Sequence, residues 1–397
     1  MSKLLVRRAT VITMAERRIL RDGYVLIEDG LVTSVGAGCE VPPGSSDDRV
    51  LDVDGSVVIP GLIDAHAHVQ EYVLRDLIDE SMDLGDVLRY FIDPIYDRMT
   101  PDLEADMARY FLSESLRCGV TTVATAALYP VAVLRTAEEV GIRLAVGPVV
   151  DTDIPGRTLD ATMSVLSDAA RARPGWVTPL VAPRRLDVDP GLLAEHVAKW
   201  NARLFAHLSG IGGELSTLAR SGVDLSRSIL AYDPRTPEDE LLEAVSRGVG
   251  LAVCPTTLMR LGLGLGRSSL HGLYMMGAKM ATGSGGFAGM ATLDPLRNAG
   301  LMALVLMDSG KGLQEAGWWA LSSVTSAAAD VIGSSSLGRI APGARGDLVV
   351  LDPRIHGGRP VGGDPHVYAV YRGGCQDVRT VVVDGNVVWS AESPART

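Results

Sequence analysis

The stretch VVIPGLIDAHAH, residues 57–68, stays apolar over most of its length and ends on two histidines one residue apart. Strand side chains alternate between the two faces with a period of two, so in an extended chain His66 and His68 point the same way. A near-continuous apolar run marks a strand buried on both faces, as in a parallel sheet. The question for the rest of the chain is whether it supplies the other strands of that sheet and further ligands at their ends.

Short apolar runs alternate with amphipathic segments from about residue 60 to 335, which is the pattern of repeated βαβ units. After 57–68 come GVTTVATAAL (119–128), IRLAVGPVVDT (142–152), WVTPLVAP (176–183) and ARLFAHLSG (202–210). SILAYDP (228–234), VGLAVCPTT (249–257) and AKMATGSGG (278–286) complete a set of eight. The segment TPDLEADMARYFLSESLRCG (100–119) shows the helical logic. Thr100 caps, Pro101 takes the first helical position, Leu103, Met107 and Phe111 share one face, and Gly119 ends the helix. Eight such repeats predict an α/β fold, a (β/α)8 TIM-type barrel, whose chemistry sits at the C-terminal ends of the strands. By that rule His66 and His68 end the first strand and His207 ends the fifth.

The two ends of the chain read differently. LLVRRATVIT (4–13), GYVLIEDGLVTSVGA (23–37) and RVLDVDGSVVIPG (49–61) are β-rich and broken by turn signals. Similar material returns in LGRIAPGARGDLVVLD (337–352) and VRTVVVDGNVVW (378–389). The expected organisation is a small β-sandwich built from residues 1–58 and 337–397 around a barrel at 59–336, with two independent β caps as the alternative. Net charge is −11, which disfavours nucleic acid and anionic membrane as partners, and the N-terminus has no signal-type apolar core. A small-molecule substrate and a cytoplasmic location are the expectations. The cysteines at 39, 118, 254 and 375 form no CxxC pair and read as buried thiols.

Taken together, VVIPGLIDAHAH, HLSG (207–210), AVCPTT (252–257), TGS (282–284) and SSVTSAAADVIG (322–333) followed by LGRIAPGARGDLVVLD resemble the amidohydrolase superfamily. The nearest branch is that of cytosine deaminase and the chlorohydrolases, and the resemblance covers essentially the whole chain. It implies a hydrolase acting on a C–N bond of a small cyclic, amide or amidine-type substrate. It also implies one divalent metal, zinc or iron, on His66, His68 and His207, and a homodimer.

The remaining family positions depart from the pattern. Tyr232 stands where a sixth-strand histidine belongs, Ser284 where the eighth-strand aspartate belongs, and Gly210 where HxxE has its glutamate. No lysine ends the fourth strand, which disfavours a two-metal site. A serine hydroxyl is not ionised at neutral pH and cannot replace a carboxylate as proton acceptor. Tyr232, Ser284, Asp151 and Asp233 are therefore the candidate catalytic groups, and Gln70, Glu71 and Arg184 the candidate substrate contacts, with Arg184 suited to an anionic group. Two other readings stay open: a metal-independent lyase, cyclase or isomerase on the same barrel, and a catalytically silent binding protein.

Overall fold

The computed structural model describes residues 2–38, 41, 49–75, 77, 82, 84–150, 159–186, 188–265, 267–286, 292–356 and 363–391. Five strands come first: β1 (Lys3–Ile12), β2 (Ile19–Glu28), β3 (Leu31–Ala37), β4 (Arg49–Asp52) and β5 (Val57–Pro60). The chain then passes through Gly61 into β6 (Leu62–Ala67), so the opening stretch is two strands in two sheets rather than one. Glycine is required at the crossing because a Cβ on residue 61 would overlap the Thr121 side chain.

The barrel continues through β7 (Val120–Ala127), β8 (Arg143–Val150), β9 (Val177–Pro183), β10 (Arg203–His207), β11 (Ser228–Ala231), β12 (Gly250–Val253) and β13 (Lys279–Thr282). These eight are parallel neighbours in sequence order. The last seam closes just past β13, where Gly285 bridges Ala67 and its N–H donates to the His66 carbonyl at 2.8 Å. The expected TIM-type barrel is the observed architecture.

Both chain ends build the second sheet, completed by β14 (Leu348–Leu351), β15 (Val378–Val383) and β16 (Asn386–Ser390). Its order is β16-β15-β14-β5-β1-β2-β3, with β4 alongside β1. Antiparallel pairing of Leu348 with Pro60 and Val349 with Ile59 joins the C-terminal strands to the N-terminal ones, which rules out independent caps. The sheet thus runs on through Pro60, two residues past the expected division at 58.

A buried ion cluster ties this sheet to the barrel. Arg143, at the start of β8 and 1% exposed, donates to both oxygens of Asp347 at 2.7 and 2.9 Å. It also pairs with Asp384 and donates to the Gly175 carbonyl at 3.0 Å. The facing carboxylates hold the guanidinium pKa above its ordinary value against the opposing effect of burial.

Two sequence expectations need correction. The helix Pro101–Arg117 is capped by Thr100, whose hydroxyl accepts from the Leu103 N–H at 3.2 Å, but its buried face is Glu104, Ala108, Phe111, Leu112, Ser115 and Leu116. Leu103 is exposed. The face is rotated because the Glu104 carboxylate turns inward to accept the N–H groups of Leu128 (2.7 Å) and Tyr129 just past β7. That bond is non-local, and periodicity cannot register it. The second correction concerns the cysteines: Cys118 and Cys375 are disulfide-bonded across a sequence separation of 257, while Cys254 is a buried free thiol. Spacing arguments detect only close pairs, so this one was invisible to them. Cys39 lies outside the described residues. Among the described residues, no helix is long and apolar enough to cross a membrane.

Candidate metal centre and active site

His66 is the penultimate residue of β6, His68 follows it at the head of a 3-10 turn (Val69–Leu74), and His207 ends β10. Their Nε2 atoms face one another at 2.9 Å (His66–His207), 3.2 Å (His66–His68) and 3.2 Å (His68–His207). The rings are braced from outside. His66 stacks on Phe205 with centroids 4.5 Å apart, and His68 lies parallel to His207 at 5.1 Å.

Desolvation of the ring nitrogens lowers all three pKa values, although only His66 is buried as a whole residue, His68 being half-buried and His207 exposed. His66 falls well below the usual range, first from desolvation and then from its two neighbours; His68 falls to about 3 and His207 to about 4, mainly from desolvation. The rings are neutral at physiological pH, which is the form that ligates metal. Three neutral ring nitrogens turned on one point cannot all be satisfied by bonding to each other, since each is either a donor or an acceptor. An ion bound at about 2.0–2.1 Å to nitrogens in tetrahedral array would separate them by about 3.3 Å, a few tenths of an ångström beyond what is seen. The donor set therefore fits a divalent metal of the zinc type. Among the described residues, no carboxylate joins these three within ligating reach.

Ser284 takes no part in that cluster. Its hydroxyl donates to Asp64 Oδ2 at 2.6 Å and its N–H to Asp64 Oδ1 at 3.0 Å, and the His66 N–H reaches Oδ1 at 3.2 Å. Asp64 thus fastens β6 to the end of β13. Burial raises its pKa to about 6 in spite of these three donors. Sequence reasoning missed Asp64, although the signal was present: residues 64, 66 and 68 share one strand face, and DAHAH contains all three.

The glycines of TGSGG give the site its room. A Cβ at 283 would lie 2.6 Å from the His66 carbonyl oxygen and 2.8 Å from its Cβ. One at 286 would collide with Oε2 of Glu71. Gly285 has φ +75°, a left-handed backbone that L side chains resist.

The other candidate residues that the structure describes come just after β6, β9 and β11, in different states. Tyr232 is buried immediately past β11, its N–H bonded to the Ala252 carbonyl at 2.8 Å. Asp233 is engaged by Arg235, accepting its backbone N–H at 2.8 Å, Nε at 3.0 Å and Nη2 at 2.6 Å. Asp151 lies outside the described residues. Gln70 is fully buried and its Nε2 donates to the Tyr96 hydroxyl at 2.6 Å, while Glu71 is 6% exposed. Arg184, immediately after β9, pairs with Asp93 and lies 4.9 Å over the Tyr96 ring. Tyr96 is the second residue that sequence reasoning missed. It sits on a short helix (Asp93–Arg98) within a connecting segment that carries no motif.

An amidohydrolase family model matches residues 57–388, which takes in the whole barrel and the strands that return from it. The chain belongs to the amidohydrolase family. A 5-methylthioadenosine/S-adenosylhomocysteine deaminase of Pelotomaculum thermopropionicum is 27% identical over 98% of this chain and 93% of its own length. Among solved amidohydrolase-like structures, an adenosine deaminase from Xanthomonas campestris with bound zinc superposes with a TM-score of 0.86 at 21% identity, over 97% of this chain and 92% of that one. The zinc complex of atrazine chlorohydrolase from Arthrobacter aurescens gives 0.84 at 23% identity, over 99% and 97%.

Proposed function

We infer that the chain is a metal-dependent amidohydrolase that cleaves a non-peptide C–N bond of a small cyclic substrate, with one divalent ion, zinc or iron, held by His66, His68 and His207. The observation that carries this reading is the convergence of the three neutral rings' Nε2 atoms to 2.9–3.2 Å, with His66 buried, His68 half-buried and His207 open to solvent. The kind of bond and substrate is supported by the deaminases and the chlorohydrolase to which the chain is similar. Bound there, a divalent ion supplies Lewis acidity, which makes water nucleophilic near neutral pH.

The chain's own residues set up the rest. Phe205 and Gly283 fix the attitude of His66, and Asp64 locks the β6–β13 seam under the site. Tyr232 and Asp233 follow the sixth barrel strand, and Arg235 holds the Asp233 carboxylate in place. Ser284 acts on Asp64, as a donor that holds the strand end in place, rather than on the substrate. The metal-independent reading draws its support from that same bond, because the position where the family pattern has a carboxylate carries a hydroxyl that is given to Asp64.

Elemental analysis of protein prepared without chelators tests the proposal, together with ammonia release from aminated heterocycles and ring opening of cyclic amides. About one equivalent of zinc or iron, lost in His207→Ala along with turnover, is expected. Turnover that survives in metal-free protein would overturn it in favour of the lyase, cyclase or isomerase reading.

A further inference from the structure

Arg143 and Arg203 open two barrel strands, β8 and β10, at the end of the barrel away from the histidines. Arg143 is met there by Asp347 and Asp384. Arg203 is half-buried and, among the described residues, its guanidinium has neither a carboxylate nor any other acceptor. Its Nε is closed off from water, while Nη1 and Nη2 stay open. The guanidinium lies against Gly333, the exposed residue that ends the helix Ser326–Ile332, where a Cβ would collide with Nη1.

The charges nearby do not supply what is missing. Arg227 stands just before β11, in register beside Arg203, and gives Nη1 to the Asn201 Oδ1 at 2.5 Å and Nη2 to the Asn201 carbonyl at 2.7 Å. The acid whose charge reaches Arg203 is Asp224, and its Oδ1 already accepts the N–H and hydroxyl of Ser226 at 3.1 and 2.7 Å. Lys279, which opens β13, brings its ammonium to 3.4 Å from the place of a Cβ on Gly248, and Ser226 lies 3.9 Å from the same point. Its charge therefore stands beside the turn that carries Arg227. Among these four groups three positive charges face one negative, which leaves a surplus of two. Burial and the Arg227 charge pull the Arg203 pKa down to about 10, so it is still a cation at neutral pH. A charge held partly out of water without a counter-charge destabilises the fold, and an anion from outside removes that penalty.

We propose that Arg203, with Arg227 and Lys279 beside it, forms a phosphate-binding site on the N-terminal face of the barrel, separate from the histidine centre at the other end. The two open nitrogens of the guanidinium present parallel N–H donors to two oxygens of one phosphate group. The surplus of two charges matches a phosphate group, which carries close to two negative charges at neutral pH, better than it matches a carboxylate. A free phosphate ion and the phosphate monoester of a small molecule share this chemistry.

The test titrates inorganic phosphate, glycerol phosphate and acetate calorimetrically into the full-length protein in phosphate-free, low-salt buffer, with zinc content and melting temperature measured on the same samples. Phosphate should bind at least tenfold more tightly than acetate and raise the melting temperature. Arg203→Met should weaken phosphate tenfold or more at unchanged zinc content. Without phosphate this variant should melt no lower than wild type, because it removes an unpaired charge rather than a bonded one. Arg203→Lys keeps the charge but loses the fork, and should weaken phosphate at least threefold. His207→Ala should leave phosphate affinity unchanged. Glycerol phosphate bound as tightly as the free ion supports a monoester as the natural ligand, and its exclusion supports the free ion. Phosphate affinity indifferent to both Arg203 variants, phosphate binding lost in His207→Ala, acetate bound as tightly as phosphate, or a large drop in the melting temperature of phosphate-free Arg203→Met each overturns the proposal.

Discussion

Replacing Ser284 by aspartate puts back the residue type that the family pattern carries, and the structure argues that it will be harmful in the metal-free protein. The Ser284 oxygen sits 2.6 Å from Asp64 Oδ2 in a fully buried setting. A carboxylate in the same place sets two negative charges about 4 Å apart, which costs about 4 kcal/mol at an effective dielectric of 20. Relief comes from sharing a proton, so the folded pair holds protons at a pH where the unfolded carboxyls, near 3.8, have lost theirs. The penalty is therefore absent below about pH 4 and grows as pH rises, reaching its full size well above the value near 6 that Asp64 already has. Urea unfolding of Ser284→Asp and wild type, with chelator, at pH 5 and pH 8 gives the comparison. We expect a loss of several kcal/mol at pH 8, clearly less at pH 5, and recovery at pH 8 when Asp64→Asn is added. A variant as stable as wild type at pH 8 without metal would refute the argument, since it would mean the new side chain never faces Asp64.

Asp347→Asn should cost about 3–5 kcal/mol in urea unfolding, because it leaves the buried Arg143 with only part of its charge partner, while zinc content and turnover of the folded protein stay unchanged. The metal-free protein should lose stability on acidification. The imidazoles of His66, His68 and His207 titrate below 6.5 when folded and at about 6.5 when unfolded, so the contribution is whole above pH 6.5 and is lost towards pH 4. Asp64, raised to about 6, works in the opposite direction over the same range but carries one proton against three. Melting curves with chelator from pH 7.5 to 5 measure this, and His68→Asn should flatten the slope.

The barrel was legible because its signal is local and repeated: apolar strand runs recurring eight times, with amphipathic segments between most of them. The histidines were legible for the same reason, two by alternation on β6 and one by its place at the end of β10. What escaped depended on partners distant in sequence. Asp64 meets Ser284 at a separation of 220 residues, Glu104 turns in from its helix to meet Leu128 just past β7, and Cys118 finds Cys375. Composition and periodicity carry no information about such pairs. VVIPGLIDAHAH is the mixed case: its apolarity is real on both sides of Gly61, but nothing in a continuous run of buried residues says that the chain changes sheets halfway along.

The Cys118–Cys375 bond turns most of the molecule into a covalent ring. β7 through β14 lie inside it, as does His207, while β6 with His66 and His68 belongs to the open N-terminal tail. Closing a loop of this length removes about 5–6 kcal/mol of chain entropy from the unfolded state, by holding together the two ends of that span. Among the described residues the tail has no such tether. It enters the ring as the eighth stave, between β7 and the end of β13, and an ion shared by His66, His68 and His207 would add a clasp from tail to ring across the mouth of the barrel.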